Sequence, residues 1–408
     1  MAKTKKATLK KILIVCFVTL WGNLNAQTFA IKADKLIDGK SSKEISNPIV
    51  IIYKDKIVDI NFKNYIPDSA QIIDLSGHTI LPGLIDVHTH LLHDGGDYNE
   101  NLYNYSTSYK ALRAASHAET ALKNGFTTLR DVCTEGACYA DVDIERAIAK
   151  GFIIGPRIIP STKGIATTGQ YSPSPKYQNW DIELPAGTKY VSGEVECREA
   201  VRDQISRGAK WIKVYADWSA VSFTFEEISA IVDEARRFKV NVAAHATTKD
   251  GIEIAIKAGA KSIEHGDSFD EALIQKAISA GVFWCPTMTV YEYYKMPSEV
   301  KYENLKKAYK KGLKIVLGTD IGSCPWNTNQ AKELEYYVKI IGMLPMDAIK
   351  SGTSQAAELL GMENQIGQVE KGFLADIVAV KGNPLDDITG LQKIDFVMKG
   401  GKIYKRPE

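Results

Sequence analysis

The chain has 408 residues, 45% hydrophobic and 25% charged, a globular composition with enough apolar material for one large domain and a small companion. A net charge of +2 leaves no basic footprint for nucleic acid, since the concentrated basic charge lies in the first eleven residues. Without Cys16, five cysteines remain, an odd number that argues for stability from a core and against a disulfide framework.

Lys3, Lys5, Lys6, Lys10 and Lys11 precede the apolar run Ile12 to Leu20, and Ala26 then offers a small residue for cleavage. This is the pattern of a signal peptide over residues 1–26, with an exported chain, periplasmic or secreted, starting near Gln27. No window reaches the roughly 20 apolar residues of a membrane span. Cys16 follows Val15, which is not the small residue a lipid-attachment site wants. Short apolar runs follow, at Phe29 to Leu36, Ile49 to Tyr53, Ile57 to Ile60 and Gln71 to Leu75, and the pattern returns after residue 366 at Ala375 to Val380 and Phe396 to Met398. The two ends, 27–80 and 366–408, are expected to build one small β-sandwich domain.

Between them, residues 81–365 alternate apolar runs with helical patterns. The runs are the strand ending at His90, then Thr127 to Asp131, Arg157 to Ser161, Trp211 to Tyr215, Val242 to His245, Ser262 to His265, Val282 to Pro286 and Ile315 to Asp320. The intervening segments carry helical spacing, and Thr224 with Glu227 forms a capping box. Eight such units predict an α/β fold of the (β/α)8 TIM-barrel type; a doubly wound sheet is the alternative, but no Gly-rich phosphate loop follows any strand. Cys133 and Cys138 are close enough in sequence to bridge a short loop, which spacing alone does not establish.

In a barrel of this kind the active site gathers at the C-terminal strand ends. The polar residues there are His88, His90, Lys213, His245, His265 and Asp320, four of the chain's seven histidines among them. His88 and His90, spaced i, i+2, fall on one face of a strand, where two imidazoles can grip one metal ion. They also suit a pair of structural histidines. Together the six residues supply ligands for two metal ions. A lysine pointing into a barrel is costly to bury and loses basicity, so Lys213 either pairs with a carboxylate such as Asp217 or, as a neutral amine beside two cations, captures carbon dioxide as a bridging carbamate.

The His-x-His strand, Lys213, the His245 and His265 strands and Leu317-Gly318-Thr319-Asp320 resemble the metal-dependent amidohydrolase superfamily, over nearly the whole chain after residue 26. Gly155-Pro156-Arg157, Trp211-Ile212-Lys213-Val214, Ile263-Glu264-His265-Gly266 and Gly372 to Val380 are similar to the branch holding imidazolonepropionase and the Xaa-Pro and Xaa-Arg dipeptidases. Imidazolonepropionase lacks the bridging lysine, so Lys213 points to the two-metal dipeptidases. The resemblance implies one metal on His88, His90, Lys213 and Asp320, a second on Lys213, His245 and His265, and a bridging hydroxide between them. Zinc suits these ligands, and manganese or cobalt would be accepted. Asp320 would take a proton from the hydroxide and deliver it to the leaving amine.

The implied activity is cleavage of amide bonds in small peptides or N-acyl amino acids. Hydrolysis of a cyclic amide or lactone, deamination, and a barrel that only binds its ligand are the alternatives. Two departures bear on substrate: dipeptidases of this branch carry a Gly-His-Gly loop after strand three and a tyrosine two residues after the strand-five histidine, and here stand Thr168-Gly169-Gln170-Tyr171 and Thr247. Tyr171 and Tyr215 are the substrate-binding candidates, Arg130 and Arg157 the candidate carboxylate clamps, with Arg157 at a strand start and facing away. Tyr291, Tyr293 and Tyr294 suggest a loop over the pocket, Trp326 and Asn327 part of its lining, and His78, His93 and His117 structural or solvated positions. The partner is a small molecule or dipeptide, and a homo-oligomer is compatible with everything read here.

Overall fold

The computed structural model describes residues 28–61, 65–170, 186–218 and 221–407. The expected signal peptide, Cys16 and Tyr171 lie outside them. The fold is α/β with parallel strands. Strand one (Leu84–Thr89) pairs in parallel with strand two (Phe126–Asp131), and that with strand three (Arg157–Pro160). Strands four (Trp211–Tyr215), five (Asn241–Ala246), six (Ser262–His265) and seven (Phe283–Cys285) form a second parallel series.

Backbone hydrogen bonds join the two series. Lys210 N donates to Pro160 O at 2.8 Å, linking strand three to strand four. On the other side the extended segment 314–321 receives Trp284 N at Lys314 O, and donates from Asp320 N to His88 O at 2.8 Å. Eight parallel segments are thereby linked in a circuit, each followed by helix, for example Phe225–Arg237 after strand four, which starts on the Thr224 and Glu227 capping box that the sequence predicts. The eighth segment is not a regular strand: its pairing with the neighbours is broken into isolated bridges, at Trp284 with Ile315 and at Thr89 with Ile321.

Side-chain alternation sorts each strand. On strand one Ile85 and Val87 share a buried cluster with Ile159, Trp211, Ala243 and Val316, while His88 reaches Glu264 and Asp86 reaches Thr319. Asp86 accepts from Thr319 Oγ1 at 2.6 Å and Gln330 Nε2 at 2.7 Å, tying the first strand to the eighth segment; burial pushes its carboxyl up to about 6 against those bonds.

The two chain ends meet in one mixed sheet. Thr28–Leu36 lies parallel to Ala70–Pro82, which pairs antiparallel with Ile377–Lys381, itself paired with Ile394–Lys399, which pairs with Lys402–Lys405 at the edge. One face buries Ile31, Val50, Ile73, Ile377 and Phe396 together. Among the described residues no helix is long and apolar enough to cross a membrane.

Candidate metal centre

The C-terminal strand ends converge on a cavity of about 310 Å³ whose lining includes His88, His90, Lys213, His245, His265 and Asp320, all six predicted residues. Ligand atoms of His88, His90 and Asp320 lie within 4.8 Å of one another. Ring centroids of His88 and His265 are 5.0 Å apart, and those of His245 and His265 4.5 Å.

Two of these residues reach the cavity through unusual backbone. Glu264 points inward on strand six, so simple alternation would send His265 outward; His265 instead has φ +67°, a left-handed conformation that L residues adopt rarely. Asp320, with φ +59°, also stands in the left-handed region. Strain of this sort at two ligand candidates is what a site imposes on a scaffold. Gly318 allows the eighth segment to lie against strand one, since a Cβ there would stand 2.2 Å from Cys285 Sγ and 2.8 Å from His88 Cβ.

Three of the four imidazoles are oriented from behind. His88 Nδ1 is 2.7 Å from Glu264 Oε2, and Glu264 also receives Arg130 Nη2 at 2.8 Å and Ser262 Oγ. The ring therefore donates from Nδ1 and turns its Nε2 lone pair to the cavity. His90 Nδ1 is 3.1 Å from Glu135 Oε1, and His265 Nδ1 is 2.9 Å from Thr287 Oγ1. Carboxylate and hydroxyl partners of this kind fix the tautomer of a metal-binding histidine. Glu264, Glu135 and Thr287 escape the sequence reading; a carboxylate adjoining a strand-end histidine was the available signal for Glu264.

The charge states of His88, His245 and His265 suit a cation. Burial, with the nearby Lys213, holds His88 down to about 4, and burial holds His245 and His265 well below their ordinary range. Burial also lowers Lys213, which forms no ion pair among the described residues. Burial opposes ionisation of Asp320, yet its bond to His90 and the neighbouring imidazoles keep it well below the carboxylate range. Burial likewise opposes a charge on His90, but Asp320 and Glu135 outweigh it and raise the ring to about 10. The residues fit a divalent ion on a direct observation: His88 Nε2 is buried with no hydrogen-bond partner, amid nitrogen and oxygen donors of the kind zinc prefers.

Several expectations are corrected. Asp217 is not the partner of Lys213, because it accepts instead from Thr247 and Thr248, at 2.7 to 3.1 Å; Thr247 is thereby spent on Asp217. Arg130 is no substrate clamp, being committed to Val87 O, Ser262 and Glu264. Arg157 faces away as expected, bonded to Asp376 at 3.0 Å. Trp326 lies outside the cavity lining, stacked on His117 and donating to His93 O at 3.0 Å, while Asn327 is exposed. Tyr291 and Tyr294 line the cavity and Tyr293 does not. Tyr215 lines it too, its centroid 5.4 Å from that of His245, and Trp218, which the sequence reading passed over, stands 4.7 Å from His245. His93, read as structural or solvated, is in the wall. Cys133 and Cys138 are free thiols, one buried and one exposed.

Residues 79–404 match the model of the amidohydrolase family. The chain is 32% identical to an ochratoxinase of Aspergillus niger over 94% of this chain and 88% of that one, and 25% identical to an imidazolonepropionase of Fusobacterium nucleatum over 88% and 91%. Among solved structures, a Xaa-Pro dipeptidase with methionine bound in its active site superposes with a TM-score of 0.85 at 34% identity, covering 93% of this chain and 100% of that one. The strand-end histidines, the oriented rings and these matches agree, and the chain belongs to the amidohydrolase family as a hydrolase of carbon–nitrogen bonds.

Proposed function

We propose that this protein is an exported, two-metal hydrolase that cleaves amide bonds of small peptides or N-acyl amino acids. The observation that carries the reading is the convergence of six metal-compatible side chains from five strand ends in one cavity, with the relatives' chemistry in support. His88, His90 and Asp320 would hold one ion, His245 and His265 the other, with Lys213, as a carbamate, joining both. Two zinc ions there would polarise the scissile carbonyl and generate a nucleophile from water at neutral pH.

The chain's own residues do the rest. Glu264, Glu135 and Thr287 hold the three imidazoles in register. Asp320, steadied by Ser323 Oγ at 2.8 Å, accepts a proton on Oδ1 from the attacking water and passes it to the departing nitrogen. Tyr215 and Trp218 pack against the substrate beside His245. We read residues 81–365 as a (β/α)8 barrel and 27–80 with 366–408 as a β-sandwich domain, its sheet curled so that Ile57 N meets Phe373 O at 3.0 Å. The lysine-rich start and apolar run of residues 1–26 support export.

The test is elemental analysis with product detection by mass spectrometry, after incubating zinc- and bicarbonate-treated protein with pooled dipeptides, N-acyl amino acids and cyclic amides. Two ions per chain and release of amino acids are expected. Cleavage confined to the cyclic pool would favour the reading suggested by the imidazolonepropionase relatives, and a single ion retained by Lys213→Ala at full activity would remove the carbamate.

A further inference from the structure

Thr287 follows strand seven and opens the short helix Met288–Tyr293, in the left-handed region at φ +52°, a rare place for a β-branched residue. A threonine at the start of a helix ordinarily turns its hydroxyl onto one of the first backbone N–H groups, which have no partner within the helix. Thr287 makes no such bond. Its Oγ1 lies 2.9 Å from His265 Nδ1 instead.

The N–H groups left over are taken up by a residue far along the chain. Glu333, on the helix Lys332–Tyr336, is wholly buried. Its two carboxylate oxygens accept from Met288 N at 2.9 Å and Thr289 N at 2.7 Å, and Thr289 Oγ1 adds a third bond at 2.7 Å. A buried N–H without an acceptor is costly, so without Glu333 the Thr289 N–H and the His265 ring would compete for one threonine hydroxyl. The carboxylate removes that competition and pins the turn in its strained form. Glu333 itself does not line the cavity, whereas Val290 and Tyr291, on the turn it pins, do.

We propose, on the metal-centre reading above, that Glu333 is a positioning residue for His265. By occupying the N–H groups of Met288 and Thr289 it leaves the Thr287 hydroxyl to hold the imidazole with its proton on Nδ1, and so keeps Nε2 available to an ion.

Two measurements test this: zinc affinity by competition with a chelator, and the imidazole tautomers of chelated protein by long-range proton–nitrogen NMR, with His265→Asn assigning the signal. Glu333→Gln keeps the shape, and whichever way its amide turns, one of the two N–H groups loses its acceptor. Thr287→Val removes the hydroxyl at nearly constant shape. Thr287→Val should weaken zinc binding about 10–100-fold and Glu333→Gln at least about fivefold. In chelated protein both should move His265 from a single Nδ1–H tautomer to a mixture. Thr287→Ser, which keeps the hydroxyl, should match the wild type in both respects. The double variant should bind zinc within about twofold of Thr287→Val alone, since both changes act through one hydroxyl. Glu333→Asp, a methylene short, carries the same expectations if the Gln variant does not melt as a single transition. A Glu333 variant that melts lower but keeps zinc affinity and tautomer overturns the proposal, as does a Glu333 effect undiminished on the Thr287→Val background. A wild type that binds no zinc removes the metal reading, and the tautomer then decides the role of Glu333: a shift upholds it and an unchanged ring overturns it.

Discussion

Glu264 is buried between the guanidinium of Arg130 and the imidazole of His88, and burial alone would keep it protonated. Arg130 and the His88 bond reverse this and hold the carboxyl well below its ordinary range. Glu264→Gln strands the Arg130 charge and frees the His88 ring. Removing one partner of a buried pair costs about 3–5 kcal/mol, and losing the group behind a ligand weakens metal binding by about 10–100-fold. Denaturant unfolding and competition with a chelator read the two effects. The pair of His90 and Glu135 gives a pH dependence. Glu135 is depressed from 4.5 to about 2, so its contribution in chelated protein is complete above pH 4.5 and disappears as pH falls through about 2. His90, raised from 6.5 to about 10, contributes fully below pH 6.5 and stops contributing as pH rises through about 10. The interaction is shared and counted once. On the order of 3 kcal/mol should separate chelated wild type from Glu135→Gln near pH 6, narrowing at both extremes in unfolding titrations.

At the level of the strand, alternation predicts which side chains share a face and fails where the backbone turns left-handed. His88, Lys213 and His245 follow the period-two rule and were legible in the sequence for that reason. His265 and Asp320 were recognised as strand-end polar residues, but Glu264 beside His265 also points inward, and only a positive φ at His265 reconciles the two. Glu264 was missed on the same account, because a strand cannot ordinarily aim consecutive side chains at one site. Trp326 was misplaced for a different reason: its position after Asp320 says nothing about the loop turning it against His117. Close approach of elements is the other requirement. Gly318→Ala inserts a methyl into the space of Cys285 and His88, and overpacking of this sort costs about 1–3 kcal/mol. The expected result is a lower melting temperature with a loss of bound metal, since the displaced atom belongs to His88; a variant that melts lower but keeps its metal would show the eighth segment yielding instead.

Across the whole molecule, the end opposite the cavity is where the parallel ring meets the sheet of the chain ends. Arg157 joins Thr128 and Asp376 there, and Asp376 also accepts from Gly400 N at 2.7 Å. Arg157→Ala leaves a buried carboxylate short of one partner, at a cost of about 1–3 kcal/mol. Unfolding should move accordingly while turnover per folded molecule stays within about twofold, because the substitution lies at strand starts and the chemistry at strand ends. The order of eight units and the joining of both termini were legible from apolar runs. The links between the two parallel series were not, because backbone bonds such as those from Lys210 and Asp320 leave no sequence signature.

That joining of the termini sets an order of events during synthesis. Ala70–Pro82 continues almost directly into the strand bearing His88 and His90, and its antiparallel partner Ile377–Lys381 is made some three hundred residues later. A nascent chain released residue by residue cannot complete this pairing until its last strands emerge, and contacts so distant along the chain form slowly. The first-made ligand candidates are thereby secured by the last-made strands, so on the two-metal proposal metal loading would belong to the finished polypeptide.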